Sequence, residues 1–519
     1  MRSLRLFWAL IPLLSTAAAR LPTVTLKDAV YVGTTTHVAS ATATVDKFLG
    51  IPYATTPERF RAARPRPPGS LFVNATEQPP ACIQQSSSES SPESEDCLFL
   101  NVFAPHLGCG KPKAEKAVML WFYGGALSFG SITDVDGSSF AANQDIILVA
   151  CNYRLGVFGF PGNVSGLSPD ELNPGFRDQK MAMRWIQENI SRFGGDPTKV
   201  TIFGESAGAV SADSHLISEL SDHPPFRAAI LQSGGLHTFN RVALGVGVSV
   251  TGMGTGNKAG EAPFLTLAKY LNCSEENAVP CLQSKPMALV KSAVLTLNLL
   301  FSPVDDGGKT SVADTDSARR AGRTARVPVL VGSTFMEGNI FSDKTLQQKT
   351  LEGWADVIYP NNPTAAAAVV NAYSVGSSWQ AQTPDDAVRL LHSDFHFACT
   401  TTYDSNIMAT IDIPTWRYLF NASLPSGLAS HGSEISFVFG DPQSTPANQE
   451  LSAKIQGAWA DFAKDPSSGP GWTKYSPTTP SLGDLGGEGD RASITVIDPA
   501  VVDSRCSVFW DAYDPSRPR

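Results

Sequence analysis

Residues 204 to 208 read GESAG, set between the apolar, β-branched run Val200 to Phe203 and the small-residue stretch Ala207 to Ala212. That order is a strand, a sharp turn with serine at its apex, and the start of a helix. The turn strains the backbone of its central residue and brings strand and helix close together. Positions two before and two after the serine must therefore carry almost no side chain, and Gly204 and Gly208 meet that demand. Ser206 then projects its hydroxyl above the carboxyl edge of a parallel sheet, where a histidine can reach it. The chain is rich enough in glycine and serine for a bare GxSxG to arise by chance, so the strand-turn-helix context is what selects this one.

The chain around it is long and globular: 519 residues with 42% hydrophobic content can bury a large core. Arg2 and Arg5, the apolar run Leu6 to Leu14 and the small residues up to Ala19 have the layout of a secretory signal peptide, with cleavage expected after Ala19. The apolar run is too short to span a bilayer, and the reading is a secreted protein without a membrane anchor. Sequons at Asn74, Asn163, Asn189, Asn272 and Asn421 suit that compartment. A net charge of −9 leaves no basic face for a polyanion, which excludes nucleic acid as a partner. The eight cysteines suggest disulfides, whose connectivity does not follow from spacing. No Cys/His cluster has zinc spacing, so neither a metal nor an organic cofactor is expected; His392 and His396, four apart, are read as packing or surface residues.

Antiparallel strands are expected over Val24 to Gly50, and buried strands over Cys97 to Phe103, Val118 to Phe122, Ile146 to Val149, Val200 to Phe203, Ala228 to Leu231 and Val327 to Val331. Apolar residues at helical spacing between Asp178 and Phe193 end at Gly194 and Gly195. Strands alternating with helices imply a doubly wound α/β sheet, in one domain over residues 20 to 519. The glycine-rich stretch 242 to 260 has no strand leading into it and reads as a flexible surface excursion, not a dinucleotide loop.

A serine nucleophile needs a base, and the base needs an acid to orient it. Chain order in this architecture is serine, acid, histidine, which leaves His215, His223, His237, His392, His396 and His431. The first three follow the serine too soon, and His431 stands in the loop ASHGSE. For the acid, Glu337 follows the strand Val327 to Val331 and leads modestly over Asp305, Asp306 and Asp394. Backbone donors for an oxyanion are expected from the glycine-rich turn in WFYGGAL, at Gly125 and Ala126, with Ala207 as the third.

The chain resembles the type B carboxylesterase/lipase family, which includes cholinesterases and fungal lipases, and its motifs have a fungal cast. The resemblance runs through FLGIPYA (48 to 54), EDCLFLNV (95 to 102), WFYGGA, NYRLGVFGF (152 to 160), the stretch 178 to 208, AAILQSG (228 to 234), PVDDG (303 to 307), VGSTFMEG (331 to 338), HGSEISFVFG (431 to 440) and CSVFW (506 to 510). It implies an α/β-hydrolase fold, a large, mostly parallel mixed sheet flanked by helices, with Ser206, Glu337 and His431 as the triad. It implies disulfides Cys82–Cys97, Cys273–Cys281 and Cys399–Cys506, leaving Cys109 and Cys151 unassigned, Cys151 as an inert core thiol. It also matches Glu95 and Arg154 to a structural ion pair, and Leu299 and Phe301 to a region lining the acyl pocket.

Two departures matter. Ala126 stands where relatives have a third glycine, placing a methyl beside the acyl site, and residues 83 to 96 contain no aromatic where cholinesterases carry the tryptophan that holds choline. The expected function is therefore a secreted serine ester hydrolase for small to medium apolar esters. A lipase or an acyltransferase would use the same triad, and a non-catalytic adhesion or binding homologue is the opposing class.

Overall fold

The computed structural model describes residues 21–513, apart from 42, 87–91, 107–114, 222, 237–260, 313, 341–349, 379, 425–426, 443–444 and 488–491. The expected signal peptide, the glycine-rich excursion, His237 and Cys109 lie outside the described residues.

Fourteen strands are described. In chain order they begin with β1 (Thr23–Thr25), β2 (Ala29–Val32), β3 (Thr34–His37), β4 (Thr44–Pro52), β5 (Leu71–Asn74), β6 (Phe99–Pro105) and β7 (Lys116–Phe122). They continue with β8 (Ile147–Cys151), β9 (Gly195–Glu205), β10 (Ala228–Gln232), β11 (Val329–Thr334), β12 (Thr415–Phe420), β13 (Leu482–Leu485) and β14 (Ile494–Ile497). Strands β1, β2 and β5 form a small separate sheet; the other 11 form one sheet in the order β14-β13-β12-β11-β10-β9-β7-β8-β6-β4-β3. From β13 through β8 every pairing is parallel, while β14 and the strands from β6 outward join antiparallel.

Composition explains this division. The parallel strands are covered by helices on both faces, so every residue of ILVAC in β8, AAILQ in β10, VLVGST in β11 and TWRYLF in β12 is buried. Strand β3, TTTH at the edge, has no buried residue, and its polar threonines face water. Trp121 of β7 meets Phe203 of β9 at 4.9 Å between ring centres and Phe439 edge-on at 5.1 Å.

The helix expected before β9 runs over Pro174–Asn189 and tightens into a 3₁₀ turn, Ile190–Phe193. Proline at its first position forfeits no helical hydrogen bond, and Gly194 ends it with φ 88°, a left-handed conformation glycine adopts without penalty. The carboxyl ends of β7, β9, β11 and β12 therefore open on one edge of the sheet, and each leads into a loop carrying one of the chemical groups anticipated from the sequence.

Candidate active site

Ser206 follows β9 directly and has φ 55° and ψ −120°, a strained geometry outside the regions favoured by L-residues. Its N–H donates to the Gln232 carbonyl at 2.8 Å, its carbonyl accepts from Val210 N at 3.0 Å, and the helix Ala207–Ser218 departs at once. The flanking glycines are required by contact: a Cβ on Gly204 would overlap the Gly208 backbone, and one on Gly208 would overlap the Phe122 carbonyl oxygen. Strand, turn and helix thus close on one another only because those two positions are bare.

Glu337 lies just beyond β11 and is fully buried. One carboxylate oxygen accepts from Thr334 N at 2.6 Å and the other faces His431 Nδ1 at 2.6 Å. The two loops are stitched by a parallel bridge between Met336 and Ser430 and by Met336 N donating to the Ala429 carbonyl at 2.8 Å. On the far side of the ring, His431 Nε2 lies 3.2 Å from Glu205 Oε1. Ser206 and His431 line the same cavity, but among the described residues no hydrogen bond joins the hydroxyl to the imidazole. The competing acids are engaged elsewhere: Asp306 accepts from Thr310 and Ser311, and Asp394 from Tyr373 and Arg505. His215 is bonded to Gln179, His223 is exposed, and His392 and His396 stack on each other.

A model of the carboxylesterase family matches residues 20–492. The chain belongs to that family. Acetylcholinesterase of Bungarus fasciatus is 32% identical over 91% of this chain and 83% of its own length. Cholinesterase of Mus musculus is 33% identical over 81% of this chain and 75% of its own, and acetylcholinesterase 1 of Caenorhabditis briggsae 30% over 91% and 84%. The carboxylesterase chain has the α/β-hydrolase fold and is a serine carboxylic ester hydrolase.

In this carboxylesterase a cavity of about 470 Å³ opens over Ser206, within the range usual for small-molecule sites. Trp121, Tyr123, Phe129, Phe397, Val135 and Ile435 supply much of its wall, and the lining residues include no lysine or arginine. Gly125, Ala126 and Ala207 also line it. The N–H groups of Gly125 and Ala126 take no part in the hydrogen bonds of their turn, and that of Ala207 begins a helix, where the first N–H groups lack a helical acceptor.

Sequence reasoning passes over two buried carboxyls, Glu205 and Glu434. Burial is the main cause holding both above the ordinary carboxylate range; the charge of Glu337 adds to this, while His431 opposes it. For His431 burial acts the other way, lowering the pKa, but Glu205 and then Glu337 outweigh it and raise it to about 9. Gln232, whose carbonyl accepts from Ser206 N, ties Glu434 to that turn, donating to Glu434 at 3.3 Å while its side-chain oxygen accepts from Trp459 Nε1 at 3.0 Å. The sequence did offer one signal: both acids stand within three residues of a triad candidate. Phe397, whose ring centre is 4.9 Å from that of His431, lies in a π-helical stretch, 394–398, a local irregularity frequent beside functional sites.

Two expectations need correction. Leu299 and Phe301 do not line this cavity: Phe301 is buried in the core, and the Leu299 carbonyl accepts from the side chain of Gln85. Glu95 and Arg154 do not pair with each other. Arg154 makes a two-pronged pair with Asp178 at 2.7 Å, nearly sealed from solvent, because the helix Pro174–Asn189 brings that aspartate beneath it one turn after its start. Glu95, in a partly exposed loop, pairs with Arg59 at 2.6 and 2.7 Å.

The disulfides Cys82–Cys97, Cys273–Cys281 and Cys399–Cys506 are formed, and Cys151 is buried, unpaired and held protonated by burial. Among the described residues there is no cluster of three or more potential metal ligands, and no helix is long and apolar enough to cross a membrane.

Proposed function

We propose that this carboxylesterase hydrolyses small to medium apolar esters through an acyl-enzyme, with Ser206, His431 and Glu337 as its triad. Ser206 Oγ attacks the ester carbonyl, His431 takes the serine proton and returns it to the leaving alcohol, and Glu337 fixes the ring and stabilises the imidazolium. Water, activated by the same histidine, then releases the acid. The N–H groups of Gly125, Ala126 and Ala207 meet the oxyanion, each such donor contributing about 3 to 4 kcal/mol to the transition state.

The observation that carries the reading is the 2.6 Å contact between His431 Nδ1 and Glu337 in a small, largely apolar cavity shared with Ser206. The hydrogen bond from Ser206 Oγ to His431 Nε2, which faces Glu205 at 3.2 Å, is expected to form in the substrate complex. The three disulfides support an oxidising compartment, and with the apolar leader they favour secretion. No aromatic stands in residues 83 to 96, which disfavours choline esters even though the relatives named above are cholinesterases.

The test is a series of p-nitrophenyl esters from acetate to palmitate, with butyrylthiocholine and an emulsified triglyceride alongside and Ser206→Ala as control. Activity peaking at short or medium acyl chains and lost in Ser206→Ala is expected. A maximum at long chains with activation on the emulsion would make the protein a lipase, and a preference for the choline ester would overturn the substrate class.

A further inference from the structure

We propose that Gln84, which does not line the cavity, is a positioning residue that holds the oxyanion turn in its working shape; the inference rests on the reading of Gly125 and Ala126 just given. The turn is intrinsically unfavourable. Gly125 has φ 95° and Gly130 φ 113°, and between them Ala126 (φ 53°) and Leu127 (φ 56°) place two consecutive side-chain-bearing residues in the left-handed region. Each of the latter costs about 1 to 2 kcal/mol, and such a conformation persists only where its surroundings over-determine it.

Inside the turn, Ser128 N and Phe129 N both donate to the Gly125 carbonyl, at 2.9 and 3.0 Å. From outside, Gly156 N donates to the Leu127 carbonyl and Gln85 N to the Ser128 carbonyl, each at 2.7 Å. Gln84 supplies the clamp at the far end. Its side-chain oxygen accepts from Gly130 N at 2.7 Å while its amide nitrogen donates to the Gly130 carbonyl at 3.0 Å, pairing with both backbone groups of one residue as a neighbouring strand would. The same nitrogen donates to the Cys82 carbonyl at 2.7 Å, so both amide hydrogens are used.

The clamp is itself anchored. Gln84 stands two residues beyond the disulfide Cys82–Cys97, its own N–H donates to Glu93 at 3.1 Å, and Glu93 is held by Lys291 at 2.8 Å. The disulfide loop thus acts as a splint on the turn, and Gln84 is the side chain through which it grips.

The consequence is specific to the transition state. When Ser206 Oγ bonds to the carbonyl carbon, the carbonyl π pair moves onto oxygen and the serine proton passes to His431. Only then does full negative charge stand before the turn's N–H groups. A turn released at Gly130 loses alignment there while ground-state binding in the apolar cavity is little altered.

The experiment compares Gln84→Met, which keeps length without hydrogen bonds, and the milder Gln84→Asn, with the wild-type chain. Rates are expressed per active site titrated with a phosphonate that bonds to Ser206, so loss of folded protein is not counted as loss of rate. For p-nitrophenyl butyrate, kcat of Gln84→Met should fall about 10- to 100-fold with KM within about twofold. The Ki of an alkyl trifluoromethyl ketone, whose serine adduct carries the oxyanion, should rise in proportion, and Gln84→Asn should move both in the same direction by less. Wild-type kcat and Ki in the variants, or a fall in kcat with no rise in Ki, would overturn the proposal. A ketone that fails to inhibit the wild type, together with an active Ser206→Ala, would instead overturn the reading of the site itself.

Discussion

His431 Nε2 lies 3.2 Å from Glu205 Oε1, so the imidazole is held between two carboxylates, with Glu337 on its other nitrogen at 2.6 Å. Glu205 immediately precedes Ser206, the proposed nucleophile, and its attraction is the largest influence raising the His431 pKa to about 9 against the opposing effect of burial.

This arrangement predicts a displaced pH profile. A raised histidine pKa means the base form is lost as pH falls, so the acidic limb of kcat/KM should lie above the ordinary histidine range. Glu205→Gln removes a charge that favours the cation, so the pKa should fall and the limb should move to lower pH by about one unit or more. Rate measurements from pH 5 to 10 on both proteins test this, and a limb that stays in place would rule out Glu205 as the cause.

The triad assignment predicts a steep hierarchy. Ser206→Ala should reduce kcat by at least about 10⁴-fold, and Glu337→Gln, which preserves shape but not the charge behind the ring, should cost about 10³- to 10⁴-fold. Circular dichroism and gel filtration should show folded protein in both cases. Near-full esterase activity in a folded Ser206→Ala would refute the nucleophile.

Loss of the Cys399–Cys506 bridge should act on both stability and rate. It spans 107 residues and ties the carboxyl-terminal segment, with buried Phe509 and Tyr513 packed on Phe395, to the helical stretch that bears Phe397. Loop-closure entropy alone implies a loss of about 4 to 5 kcal/mol in Cys399→Ser. A melting temperature equal to that of the wild type would contradict this.

Among the sequons, exposure separates the candidates. Asn74 and Asn272 are exposed, whereas Asn189 is half-buried at a helix end, its side-chain amide donating to the Trp185 carbonyl at 3.0 Å. Enzymatic deglycosylation in heavy-oxygen water followed by peptide mass spectrometry should mark Asn74 and Asn272 and leave Asn189 unmarked. A glycan on Asn189 would require that hydrogen bond to be absent when the sugar is attached.

The strand-turn-helix around Ser206 was legible because its demands are local: bare positions two residues either side of Ser206, an apolar strand before it and a helix after it are all written within a dozen residues. The parallel strands β7 to β11 were legible for a similar reason, since burial on both faces leaves continuous apolar runs. The short polar β3, LGDL in β13 and ITVI in β14 carry weaker patterns, because edge strands and their neighbours need not be apolar throughout.

What the chain alone settled, then, was the set of residue types able to do ester chemistry and the turns that display them. Which of them meet was decided by the order of strands in the sheet. Glu337 and His431, 94 residues apart, come together because β11 and β12 are neighbours whose carboxyl ends open side by side. The same folding gave Arg154 to Asp178 instead of Glu95 and sealed Phe301 away from the cavity. It also gathered Glu205 and Glu434 around one imidazole, because a buried charge must find its partner in space and spacing along the chain does not specify where that partner lies.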